Sequence, residues 1–236
     1  MKRINPTIIL VRPQLPENIG MTARAMDNFG LSRLYLVNPR DEWPNNKAKK
    51  SAKHAESVIK NVKIFSNLEE ATSQFNLVIA TTNRQRFLTK KKFYNFNNLS
   101  KKFNDFKKIA ILFGPENSGL SNEDLRLSDL IFSINTNNTS NSLNLSHAVA
   151  IISHNIFEMR NSNKLNNKSK KINYVNKEQL SKYFDYLFDN LSSKNFFVPK
   201  EKTKSMKNNI YNIYLKSQLT KKELQTLWGV TKKLIK

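Results

Sequence analysis

Six short apolar runs constrain this chain more than anything else in it: TIILV (7–11), RLYLV (33–37), VKIF (62–65), LVIAT (77–81), IAILF (109–113) and LIFSI (130–134). They are almost continuous in apolar residues rather than alternating. A strand with one wet face alternates, and a strand covered on both faces does not. Helical patterns fall between the runs, at about 18–29, 47–60, 67–75 and 121–128, and a longer one spans 143–160. Strands alternating with helices in this way predict an α/β fold with a mostly parallel sheet.

The pattern changes after residue 160. Residues 161–176, NSNKLNNKSKKINYVN, are polar and basic and read as a linker. Beyond them the periodicity is helical only. Leu180, Phe184, Leu187, Phe188 and Leu191 share one face of a helix over 177–191, and further helices are expected over 203–217 and 220–235. Thr220 with Glu223 forms a capping-box pattern. The expected organisation is therefore 1–160, a linker at 161–176, and a helical C-terminal extension at 177–236. That extension is expected to pack on the main body or on a second subunit.

Charge points to a polyanionic partner. The chain carries 40 Lys and Arg against 18 Asp and Glu, a net charge of +22 in 236 residues. Residues 161–236 hold 17 basic and 5 acidic residues, so the tail is the denser part. Abundant Lys and Asn also fit A/T-rich coding, which would raise lysine without functional demand. Nucleic acid is the leading partner class, because phosphate neutralisation rewards such density. No apolar run approaches the roughly 18 residues of a membrane span, and the N-terminus lacks a signal-peptide pattern, so a cytoplasmic protein with no membrane partner is expected. With no cysteine, disulfides and thiolate metal sites are excluded. His147 and His154 lie seven apart on one helix with no evident third ligand, so no metal is expected.

Glycine is scarce, and four of the five glycines lie in two places. Gly20 and Gly30 flank MTARAMDNF, where Gly30 reads as a helix C-terminal cap. Gly114 and Gly119 lie in IAILFGPENSGLSNEDL, a strand, a glycine loop and a helix start capped by Ser121 with Asp124. The G-x-x-x-x-G-x-S spacing imitates a phosphate-binding loop, but Leu120 stands where its lysine must be, which disfavours nucleotide hydrolysis. Glu116 at the loop's centre would repel phosphates and could favour a cation. The loop by itself suits either a tight turn or a ligand site. A third segment, 132–159, runs from a strand through a loop of Asn, Thr and Ser into a long helix. It suits either a solvated loop with a good cap or a set of hydrogen-bond donors for a ligand.

Taken in order, the three segments resemble the motifs of the SPOUT-class RNA methyltransferases, in the ribose 2′-O-methylating branch. N-x-G-x-x-x-R is present as Asn18, Gly20 and Arg24. F-G-x-E-x-x-G-L is present as Phe113, Gly114, Glu116, Gly119 and Leu120. S-L-N-x-S-x-A is present as Ser142, Leu143, Asn144, Ser146 and Ala148. The resemblance covers about residues 7–160. The tail is similar, more loosely, to the extension of the TrmJ subfamily, which methylates the ribose of nucleotide 32 in the tRNA anticodon loop.

The resemblance implies a C-terminal trefoil knot, S-adenosylmethionine as cofactor, tRNA as partner, and a homodimer that completes the site. It places the cofactor against Thr81, Thr82, Asn83, Gly114, Ile134, Asn141, Ser142 and Leu143. Asn83 and Asn141 depart from the small residues common there. It gives Arg24 the catalytic role, together with Asn18, Glu116, Ser142 and Asn144. Asn18 and Gly20 are expected to begin the helix and let RNA approach, and Glu116 to orient the site, through an arginine. Arg24, Arg84, Arg86, Lys90, Lys91 and Lys92 are the expected RNA contacts. Alternatives are a SPOUT enzyme acting on ribosomal RNA or another tRNA position, and a catalytically silent SPOUT-like RNA-binding protein.

Overall fold

A computed structural model describes residues 5–83, 93–103, 105–137, 142–162 and 174–235. Its centre is a sheet of seven strands. β1 (Thr7–Val11) is flanked by β2 (Leu34–Val37) and β6 (Ile109–Phe113). Outside these lie β3 (Lys63–Phe65), β4 (Leu77–Thr81), β7 (Leu130–Phe132) and the two-residue β5 (Phe93–Tyr94). The order is β3-β2-β1-β6-β4-β7-β5, and every recorded pairing is parallel, with Ile9 opposite both Tyr35 and Leu112.

Burial on both faces explains the continuous apolar runs. In β1, Ile8 and Leu10 point to one side and Ile9 and Val11 to the other, and all four are fully buried. The first side is covered by α1 (Pro16–Asn28), α2 (Asn46–Ala52), α3 (Glu56–Lys60), α5 (Phe96–Phe103) and α7 (Leu145–Ser162). The second is covered by α4 (Leu68–Thr72), by Phe75 and Leu120, and by α6 (Asn122–Arg126). Burying one Leu, Ile or Val side chain contributes roughly 1.5–3 kcal/mol, so the two layers dominate the favourable side of folding.

Three details differ from expectation. The helix expected over 47–60 is two helices, broken where Lys53 takes φ 48° and Ala55 turns into the core. Helix α5 was not expected, although Phe96, Leu99 and Phe103 stand at helical spacing and Leu99 and Phe103 are buried. Strand β5 was not expected either, being only two residues long.

The remaining helices are α8 (Lys177–Ser193), α9 (Thr203–Ser217) and α10 (Lys221–Ile235), with a 3-10 turn at Lys200–Lys202. They build a third apolar cluster around Leu180, Tyr183, Phe184, Leu219 and Leu224, in which the Phe184 ring stacks on Tyr211 at 4.0 Å. The Thr220–Glu223 capping box forms as expected.

These helices pack on the body of their own chain. Lys177 N and Glu178 N donate to the carbonyls of Phe75 and Ser73 at 3.2 and 3.0 Å. The Lys177 ammonium pairs with Asp129, whose other oxygen accepts from Val78 N at 2.7 Å. Tyr174 stacks on Phe106 at 4.5 Å. All of this lies at the N-terminal ends of β4 and β7.

Candidate active site

The opposite, C-terminal ends of β4, β6 and β7 open into a cavity of about 1060 Å³. Ligands of open parallel sheets bind at this edge because the loops leaving the strands converge there. Thr81, Thr82, Asn83, Gly114, Ile134, Ser142 and Leu143 all line the cavity. Asn141 lies outside the described residues, as do Arg84, Arg86, Lys90, Lys91 and Lys92. Pro115, Asn135 and Thr136 also line it. They adjoin expected residues in the same loops, and that adjacency was their only signal.

The floor is set by the glycine loop after β6. A Cβ on Gly114 would lie 2.2 Å from Leu120 N, so the loop folds back on itself only with glycine there. Gly119 takes φ +65° and donates its N–H to the Pro115 carbonyl at 2.8 Å. Leu120, which replaces the lysine of a phosphate loop, is 1% exposed and anchors the loop in the second core layer. Ser121 and Asp124 form the expected capping box. Asp124 also pairs with Arg12, which leaves the end of β1 at φ 48°. Across the cavity, Thr81 Oγ1 donates to the Leu112 carbonyl at 2.7 Å. Asn83 bridges Ser133 Oγ and Thr136 Oγ1 at 2.9 and 3.1 Å.

One hydrogen-bonded chain ties the three sequence motifs together. Glu116 Oε2 accepts from Gln14 N at 2.9 Å, and Oε1 accepts from Leu15 N at 3.3 Å and from Asn18 Nδ2 at 2.9 Å. Asn144 Nδ2 donates to Asn18 Oδ1 at 3.3 Å, and Asn144 Oδ1 accepts from Ser146 N and Ser146 Oγ at 2.9 and 2.8 Å. Every donor points toward the carboxylate. Leu15 gives α1 no side-chain cap, and Pro16 begins the helix; Glu116 bonds the two backbone N–H groups just ahead of the first turn, with its charge beside the positive end of the helix dipole.

Two expectations about this site are overturned. Glu116 orients the site through Asn18 and two backbone N–H groups, not through an arginine; Arg24 is exposed and has no hydrogen-bond or ion-pair partner among the described residues. Asn18 and Gly20 do not open a path for RNA. Asn18 is 3% exposed and bound on both sides, and Gly20 is buried where α2 crosses α1. A Cβ on Gly20 would lie 2.1 Å from the Ala48 carbonyl oxygen and from Ser51 Oγ. Gly30 does take the capping role, at φ +64°, and its carbonyl accepts from Arg160. Ser146 was quoted in a motif but given no role; it holds Asn144.

Known proteins are similar to this chain over the region that holds this site. Residues 5–154 match the model of the SpoU rRNA methylase family. The chain belongs to the SpoU family. As a SpoU methylase it is an RNA methyltransferase. The match spans the sheet and ends within α7. Two relatives run through the tail as well. The tRNA (cytidine-2′-O-)-methyltransferase TrmJ of Methanocaldococcus jannaschii is 32% identical over 96% of this chain and 98% of its own. The solved structure of TrmJ from Z. mobilis ZM4 is 34% identical, covers 98% of this chain and 99% of that one, and superposes with a TM-score of 0.87. The SpoU methyltransferase AviRb from Streptomyces viridochromogenes, solved with AdoMet, shares the fold at TM-score 0.57 and 20% identity.

Proposed function

We propose that this SpoU-family protein transfers the methyl group of S-adenosylmethionine to the ribose 2′-hydroxyl of nucleotide 32 in the tRNA anticodon loop. It does so as a cytoplasmic homodimer whose chain is threaded as a trefoil knot. The observation that carries the chemistry is the Glu116–Asn18–Asn144–Ser146 chain, which fixes all three motifs at the rim of one cavity. The tRNA assignment rests on full-length relatives whose names specify tRNA, including the one from M. jannaschii. Position 32 rests on the resemblance of the tail. The parts are proposed as 1–160 for the methyltransferase, 161–176 for a linker and 177–236 for a helical extension.

The cavity suits the cofactor. Ile134 and Leu143 offer apolar contact, while Asn135, Thr136 and the backbone around Gly114 offer polar atoms. The volume, about 1060 Å³, lies at the upper end of the roughly 300–1,000 Å³ typical of small-ligand sites. The cofactor supplies an electrophilic methyl on a sulfonium, so the protein's share of the work is positioning and charge. The 2′-oxygen bonds the methyl carbon as the carbon–sulfur bond breaks, leaving a neutral thioether, and the hydroxyl proton passes to water. Arg24 holds the adjoining phosphate and stabilises negative charge building on the 2′-oxygen. Ser142, exposed at the cavity rim, holds the hydroxyl, and Asn144 keeps that loop in place through Asn18. Dimerisation fits the exposed apolar residues Leu15 and Met21 beside and on α1 and Ile151 on α7, helices that pack against each other.

The test is methyl transfer from labelled S-adenosylmethionine into tRNA and, separately, ribosomal RNA, with the modified nucleotide mapped. Ribose methylation at tRNA nucleotide 32 is expected. Transfer to ribosomal RNA alone overturns the substrate assignment. Arg24→Ala is expected to abolish transfer while cofactor binding persists, and near-normal activity in that variant overturns its role.

A further inference from the structure

The segment from Asn46 to Lys60 carries five lysines and one glutamate, and four of the lysines fall within Lys47–Lys53. Its first helix, α2, is two-sided. Ala48 and Ala52 are fully buried against the core, while Lys47, Lys49, Lys50 and Lys53 are exposed. Lys47 reaches Glu17 at 3.9 Å, and Lys60 is spent on Glu56 at 3.5 Å. Lys49, Lys50 and Lys53 have no ion-pair or hydrogen-bond partner among the described residues. Three like charges on and just after one short helix repel each other and are left uncompensated by the protein itself.

The position of α2 gives those charges a direction. The helix is pressed into the notch at Gly20, and Ser51 Oγ donates to the Glu17 carbonyl at 3.0 Å, sealing α2 against the first turn of α1. Arg24 stands one helical turn beyond Gly20, and residues four apart share a face. The exposed Arg24 therefore rises from the stripe of α1 that α2 covers one turn earlier. The lysines and the arginine are thus carried on two elements that touch through their backbones at Gly20, rather than on a free loop.

We propose that Lys49 and Lys50 of α2, with Lys53 just after it, are a phosphate-binding ridge that grips the RNA backbone beside the nucleotide presented to Arg24. The inference rests on the proposed reaction for its substrate, but its test reads binding and not turnover. RNA is preferred to an acidic protein partner because α2 is seated on α1 one turn before Arg24, the proposed catalytic arginine.

The experiment compares the full-length protein with a Lys49→Gln, Lys50→Gln, Lys53→Gln triple variant. Affinity for an unmodified tRNA transcript is measured from 50 to 300 mM salt, and methyl transfer is measured at saturating tRNA. Each phosphate contact contributes roughly 0.7–0.9 to the slope of log affinity against log salt. The variant is expected to lose about 2 from that slope and to bind about tenfold or more weakly at low salt. S-adenosylmethionine binding and the thermal midpoint should stay unchanged, and the rate at saturating tRNA should stay near that of the parent. Equal affinity and equal slope in the two proteins overturn the ridge. If the parent binds tRNA but transfers no methyl, the proposed reaction fails while the slope comparison still decides the ridge. If the parent shows no salt-dependent RNA binding at all, the ridge falls with it.

Discussion

Alanine at Gly20 tests how α2 is held. The new Cβ would lie 2.1 Å from the Ala48 carbonyl oxygen, 2.1 Å from Ser51 Oγ and 2.9 Å from Ala52 N. Ser51 can rotate away, losing its bond to the Glu17 carbonyl. The Ala48 oxygen is backbone and can withdraw only if α2 moves, by about 1 Å, in an interior packed as densely as a crystal. Overpacking of this kind costs about 1–3 kcal/mol. Against it stands about 1 kcal/mol that alanine gains over glycine inside a helix. The net expectation is a loss of up to about 2 kcal/mol. For a chain of this size that is a fall in Tm of up to roughly 8 °C. Gly229→Ala is the matched control. It sits inside α10 with nothing within 4 Å of a Cβ, so only the propensity gain remains and Tm should rise by about 1–4 °C. Differential scanning calorimetry on both variants reads the two signs. A rise in both would refute the claim that α1 and α2 touch through their backbones, and with it the fixed placement of the α2 lysines.

Two further outcomes concern the C-terminal helices. The Lys177 and Asp129 side chains are only 12% and 7% exposed, so Lys177→Ala strands a buried carboxylate that keeps the Val78 N–H; a loss of about 3 kcal/mol is expected in chemical denaturation, and an unchanged midpoint would show that the pair is not buried in solution. Burial pushes the Tyr211 phenol from its usual 10 up to about 12. The folded chain therefore keeps a proton that the unfolded chain loses; this stabilisation is whole below pH 10 and fades as pH rises toward 12, by up to roughly 2–3 kcal/mol. Tyr211→Phe should flatten the alkaline unfolding curve across that window, and an identical curve would remove Tyr211 as its cause.

Much of this architecture was legible in the chain because burial on two faces leaves a plain mark. TIILV, LVIAT and IAILF form strands with the bounds their apolar runs suggest. Helix α5 was hidden by asparagine and lysine between Phe96 and the buried Leu99 and Phe103. The break between α2 and α3 was hidden because KSAKHAES keeps a helical rhythm with no glycine or proline. Residues of the site were legible as types, but their partners were not. No spacing rule says that Glu116 meets Asn18, because they are 98 positions apart and brought together by β1 and β6 lying side by side. Gly20 was visible as an oddity, yet its cause lies in Ala48 and Ser51, which carry no signature.

Asn144 shows why the competing readings of the third motif were never true alternatives. As the residue before α7, its Oδ1 takes the Ser146 N–H, which is the work of an ordinary helix cap. That leaves the amide Nδ2, which an aspartate or serine cap would not have, and Nδ2 is what reaches Asn18. The cap and the site are one side chain used at both ends. A similar economy joins the tail to the cavity. The capping box of α6 follows the glycine loop directly, and its Asp124 is pinned to Arg12 at the end of β1. The outer side of the same five-residue helix is held by α9, through Lys204 on Glu123 at 2.8 Å and Arg126 on Asn208 at 3.1 Å. The Glu123–Lys204 contact is exposed and screened by salt, so it contributes little by itself. The Arg126 bond and the Lys177–Asp129 pair carry more of the attachment. Among the described residues, the tail therefore reaches the glycine loop through α6, while its own bulk sits at the N-terminal ends of β4 and β7.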